Sequence, residues 1–284
     1  MQNFLDMRTI IFVSGITSLI LFACMLYIRR KQRTYEGFIY WIFAALVNST
    51  GLFLLSLRDI LPDFLTIIAG NTFIIFSVVL ISAGLSRFAG VRPYSKFYSL
   101  LMLLFVALYS YFTYFHPVFI YRSFVFYSFQ ALLCIVIVII VHRDLPRVLH
   151  KKSYVLYWFL ILSLAWPFFL IFSHFFEAQM ETDLIMAGLS HQITFLGSIA
   201  AYIVLVIALI VLTAQRVEAE MIEAKKEIKT IAGFIPICAS CKKIRDDKGS
   251  WNQMEAYLSQ HADLQFSHGL CPECMKKMYP EEAV

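Results

Sequence analysis

Seven stretches of this chain, at about 8–28, 37–57, 64–86, 97–115, 118–141, 154–174 and 191–213, are long and apolar enough to cross a bilayer. A helix needs about 20 apolar residues to traverse roughly 30 Å of hydrocarbon. The expected fold class is therefore an all-α integral membrane protein built on a seven-helix transmembrane bundle. Only 15% of residues are charged, where a soluble domain carries about 25%. The first stretch is not a cleaved signal peptide, because its apolar run is long and basic residues follow it in place of a small-residue cleavage site.

Lys and Arg placement predicts the orientation. Arg29, Arg30, Lys31 and Arg33 follow the first span, Arg87, Arg92 and Lys96 the third, and Arg143, Arg147, Lys151 and Lys152 the fifth. The other side carries Arg8, Arg58 and Arg122, with the acidic loop Glu177, Glu181 and Asp183. The bundle is thus expected N-out/C-in, with a cytoplasmic tail. Residues 216–284 hold 10 Lys/Arg against 11 Asp/Glu. A near-neutral tail lacks the basic face of a nucleic-acid binder.

No Asp, Glu or Lys lies mid-span, which argues against a pump or a proton-coupled transporter. The seventh span has no lysine for a retinal Schiff base, and no inverted repeat suggests a transporter. Polar residues do interrupt the spans. Asn48, Asn71, Gln130 and Trp166 are candidates to line a ligand pocket in the outer half, while interhelical hydrogen bonding is the plainer reading of each. His174 and His191 read as interfacial anchors.

The seventh span continues without Pro or Gly into AQRVEAEMIEAKKEIKTIAG. Ile210, Ala214, Val217, Met221, Ala224, Ile228 and Ile231 alternate steps of four and three, the seam of a left-handed coiled coil. A homodimer through 210–231 is expected; the alternative is an amphipathic helix lying on the membrane surface.

Beyond that helix come Cys238-x-x-Cys241 and Cys271-x-x-Cys274, the spacing of a four-thiolate metal site. A module this small cannot build a self-sufficient core, and structural zinc contributes about 10–16 kcal/mol in small fingers. In a reducing compartment such thiols favour metal over disulfide. Zn²⁺ is the expected cofactor, structural and not catalytic, because four thiolates leave no position for water. His268 is the alternative ligand, and His261 a further one. Redox pairs or an iron–sulfur cluster are the competing readings. Lys243–Arg245 and Ser250–Trp251 read as a hairpin, Asn252 to about His261 as a short helix, and Cys271–Cys274 as the turn into a final one. That order is treble-clef-like, an α+β zinc-finger-like fold with Trp251, Tyr257 and Phe266 as its small core. The expected organisation is 1–214 bundle, 215–232 coiled-coil signalling helix and 233–284 four-cysteine module.

The string ICASCKKIRDDKGSWNQMEAYLSQHADLQFSHGLCPECMKKMYPE resembles the short cysteine-rich segment that closes many bacterial sensor proteins. The stretches RTIIFVSGITSLILFACMLYIRR and YEGFIYWIFAALVNSTGLFLLSLRDILPDFLTIIAGNTFI resemble the multi-span sensory region found ahead of bacterial diguanylate cyclases and histidine kinases. The chain departs from those relatives in having no GGDEF segment, kinase histidine box or nucleotide-binding glycine loop. The resemblance implies association with signalling proteins and no particular activity; with no catalytic motif and an apolar bundle, the expected protein is a non-enzymatic bacterial inner-membrane signal-transduction protein whose partners are membrane lipid and a cytoplasmic signalling protein. The alternative is a small transporter or channel with a zinc-stabilised regulatory tail.

Overall fold

The computed structural model describes residues 6–149, 189–232, 236–246, 248–261 and 265–279. Among them, six helices are long and apolar enough to span a membrane. They fall on six of the seven expected stretches. The remaining one, 154–174, lies outside the described residues, as do Trp166 and His174. The chain divides into two compact units, Met1–Glu220 and Met221–Val284.

The first unit opens with α1 (Met7–Lys31), whose free N-terminal amides are capped by Asp6 accepting from the Thr9 N–H at 3.3 Å. Arg29, Arg30 and Lys31 occupy its last turn, where the helix dipole favours cations. Next come α2 (Phe38–Ser56), a π-helical turn (Phe64–Ala69) leading into α3 (Gly70–Phe88), α4 (Ser95–Tyr114), α5 (Phe119–Arg143) and the short α6 (Pro146–Leu149). The long α7 covers Leu189–Ala232 without interruption.

Glycine governs how closely α2 and α3 approach. A Cβ at Gly37 would strike the Gly84 carbonyl, and one at Gly84 would strike Trp41 Nε1. At the other end a Cβ at Gly51 would lie 2.7 Å from the Gly70 carbonyl. Gly37 to Gly51 and Gly70 to Gly84 are the same step along their helices, about four turns, so both pairs sit on one contact face. Small residues at a helix crossing let backbones meet where lipid supplies no hydrophobic drive.

Between those pairs the bundle is stitched by polar side chains. Ser18 Oγ donates to the Ala45 carbonyl at 2.9 Å, Ser49 Oγ to the Gly15 carbonyl at 2.8 Å, and Trp41 Nε1 to the Ile81 carbonyl at 3.3 Å. Three apolar cores surround this frame. Met25, Phe38, Trp41, Phe88, Ile140 and Leu209 fill the end where α1 finishes. Ile75, Phe105, Tyr109, Phe129 and Leu133 join α3, α4 and α5, and Met7, Ile11, Leu52 and Leu55 join α1 to α2 at the opposite end.

The second unit contains a two-residue antiparallel hairpin, β1 (Ile244–Arg245) with β2 (Trp251–Asn252), then α8 (Met254–His261) and α9 (Pro272–Met278). The hairpin and α8 fall where the sequence places them, while α9 begins at Pro272, inside the expected turn, and so includes Cys274. Of the residues expected to form its small core, Tyr257 is half-buried, Trp251 is 48% and Phe266 42% exposed, and Ile244 alone is buried among this unit's described side chains. So few apolar residues cannot enclose one another without an added staple.

Candidate functional site

The first cysteine pair sits in a backbone knuckle at the foot of the hairpin. The Cys238 N–H donates to the Lys243 carbonyl at 2.8 Å, and the Lys242 N–H returns a bond to the Cys238 carbonyl at 3.0 Å. Lys242 takes a left-handed conformation (φ 62°) to close the turn. The amides of Cys241 and Ser240 then point at the Cys238 sulfur, with the Cys241 thiol beside it. These donors favour the thiolate and hold the Cys238 pKa below the ordinary thiol value.

The second pair uses a helix terminus. Cys271 is the N-cap of α9 and Pro272 follows at its first position, the preferred place for a residue without an N–H. The Cys271 side chain makes no cap hydrogen bond, but the nearby N–H of Cys274, the Cys274 thiol and the N–H of Glu273 favour its thiolate and lower its pKa. Each half-site therefore presents two sulfurs with one stabilised as thiolate, a donor set that suits a thiophilic cation such as Zn²⁺.

The structure brings Cys238 to Cys241 and Cys271 to Cys274. Among the described residues, no three His, Cys, Asp or Glu side chains gather into one metal-sized group. His268 Nε2 lies 3.5 Å from a Glu255 carboxylate oxygen, while His261 stacks on Tyr257 at 4.1 Å and bonds its carbonyl at 2.8 Å. The hairpin that carries the first pair is set by Asp246. Its carboxylate accepts from the N–H of Lys248 (3.0 Å), the N–H of Ser250 (2.8 Å) and Asn252 Nδ2 (2.7 Å).

In the bundle, two of the residues singled out for a pocket make hydrogen bonds within the helical frame. Asn48 Nδ2 donates to Ser18 Oγ at 3.1 Å, and its carbonyl oxygen faces Ser77 Oγ at 3.5 Å, joining α1, α2 and α3. Asn71 Nδ2 donates to the Ile67 carbonyl at 2.7 Å, covering a carbonyl of the π turn. Gln130 is half-buried on α5, and Trp166 lies outside the described residues. A groove of about 700 Å³ does open between α3 and α4, bounded by Thr72, Phe76, Val79, Tyr98, Met102 and Val106. None of Asn48, Asn71 and Gln130 lines it.

No protein-family model, curated protein or solved structure matches this chain.

Sequence reasoning missed two clusters of polar residues. Asp144, 0% exposed at the end of α5, is held by Arg143 at 3.0 Å and Arg147 at 3.5 Å, and Arg143 also donates to Tyr94 Oη at 3.0 Å. The signal was the RDLPR string itself, where the arginines read only as markers of topology. The second cluster gathers around Arg216 and had no local signal.

Proposed function

We propose that this is a bacterial inner-membrane sensory protein that passes a signal from a seven-helix bundle, N-out and C-in, to a zinc-bound cytoplasmic docking module, without a catalytic domain of its own. What carries the reading is α7, one unbroken helix from Leu189 to Ala232 whose sequence changes from largely apolar to charged. A rigid helix can transmit rotation or translation, and the seam through 210–231 supplies a homodimer in which such motion has a fixed partner.

The orientation rests on the exposed Arg29, Arg30, Lys31 and Arg33 directly after α1. Cys238, Cys241, Cys271 and Cys274 would hold the metal, which supplies structural closure and no reactive position. Lys242, Lys243, Lys276 and Lys277 follow the pairs and offset the negative charge of four thiolates. The module so closed would dock a cytoplasmic signalling protein.

The test is metal content and oligomeric state of the purified full chain. One zinc per chain in a dimer is the expected result. A metal-free monomer whose tail resists protease removes both staple and seam, and solute flux in liposomes would turn the reading toward a transporter.

A further inference from the structure

Where α7 reaches the end of the bundle, one side chain organises the contact. Arg216 Cζ stands 3.9 Å from the centroid of the Tyr35 ring and 5.1 Å from that of Phe88. The two rings meet edge to face at 5.4 Å and 82°, so they form two walls of a cage. Arg216 Nη1 donates to the Phe88 carbonyl, which belongs to the last turn of α3, where carbonyls lack a helical partner. Nε faces Glu220 Oε1 at 3.4 Å, and the other Glu220 oxygen lies 3.6 Å from Arg33 Nη1.

Arg216 and Glu220, one turn apart, thus tie α7 to two separate elements. One is the α1–α2 loop through Arg33 and Tyr35; the other is the end of α3 through Phe88. The Tyr35 hydroxyl oxygen is buried against this cluster with no hydrogen-bond partner among the described residues, and burial raises its pKa. Phe88 in turn packs on Trp41 at 5.4 Å. Trp41 lies at the close crossing of α2 and α3, beside Gly84. A shift between α2 and α3 would therefore move a wall of the cage.

We infer that Arg216, with Tyr35, Phe88 and Glu220, forms a releasable clasp that fixes the closing turn of the bundle on α7, so that rearrangement of the α2–α3 pair frees or locks that turn. The parts suit such a device. A planar guanidinium stacks on rings and forks its donors at once, which an ammonium cannot do. Cation–ring and surface ion-pair contacts are each weak, so the set can open while the apolar cores persist. The inference deepens the proposed role of α7 and rests on that role only for its consequence; the clasp is measured with no partner, metal or output.

Hydrogen–deuterium exchange of the full chain in lipid nanodiscs reads it directly. Arg216→Ala is expected to raise exchange in the 213–220 segment about tenfold, with α2 and α3 unchanged. Arg216→Lys should lose most of the protection, and Tyr35→Phe, which keeps the ring, should match the parent. Unchanged exchange in Arg216→Ala overturns the clasp, as does an equal rise across α2 and α3 or full protection with lysine. If Arg216→Ala does not assemble, Glu220→Gln gives the smaller shift expected in the same segment, and no shift there refutes the inference equally. A zinc-free or monomeric protein that still shows the localised rise would remove the functional reading and leave the clasp standing.

Discussion

Gly51 and Gly70 stand backbone to backbone at the crossing of α2 and α3, where a Cβ on Gly51 would come within 2.7 Å of the Gly70 carbonyl. A carbonyl on a packed helix has no rotamer with which to retreat, so the whole hairpin must spread. Gly51→Ala is therefore expected to cost about 1–3 kcal/mol, the usual range for overpacking. Gly269→Ala, with nothing near its Cβ position, is expected to be neutral. Thermal unfolding of the two variants in the same detergent makes the comparison, and equal midpoints would show that the helices are not this close.

The Asn48 bond to Ser18 predicts that Asn48→Ala loses stability before it loses anything else. Interhelical hydrogen bonds in membranes average about 0.6 kcal/mol and reach about 1.7. Asn71→Ala should cost a comparable amount by uncovering the Ile67 carbonyl of the π turn. Steric-trap unfolding in bicelles resolves differences of that size. A variant of either residue with unchanged stability and altered signalling would return the asparagines to the role of ligand contacts.

The reach of the sequence ended where residues far apart in the chain meet. Apolar runs locate the helices because length and hydropathy are local properties, and CxxC spacing finds the half-sites because a knuckle or a helix cap closes within a few residues. The π turn at Phe64–Ala69 replaces a register that periodicity alone would have kept α-helical. Arg216 reads as one more charge on a solvated helix until Phe88, 128 residues earlier, is placed beneath it. Asp144 was hidden in the same way. A carboxylate between two arginines looks like mixed interfacial charge, and its burial comes from the fold.

Amide donors around Cys238 and Cys271 predict early ionisation of these two thiols in metal-free protein. Alkylation by iodoacetamide needs thiolate. Its rate at both sites should therefore reach half-maximum at a lower pH than for free cysteine, as followed by mass spectrometry of the modified peptides. The linked stability has a definite sign. A depressed folded pKa adds stability that is fully present above the ordinary thiol value and is lost as pH falls through the depressed one. Acidification should accordingly release metal as protons compete for the same sulfurs. Alkylation midpoints at or above that of free cysteine would remove the amide cradle and weaken the case for two preformed half-sites.

The seam on α7 makes a prediction about individual positions. Met221 is 55% exposed on this helix and Ile222 beside it 46%, and the heptad spacing assigns the contact with a second copy to Met221 alone. Met221→Cys and Ile228→Cys in the full chain are expected to crosslink between copies with a short bis-maleimide, while Ile222→Cys and Glu223→Cys crosslink several-fold less. The contrast follows from a 3.5-residue repeat, which turns neighbouring positions about 100° away from the dimer axis. Equal yields at 220, 221, 222 and 223 would mean random collision in the bilayer, and the charged half of α7 would then have to act as a single amphipathic helix.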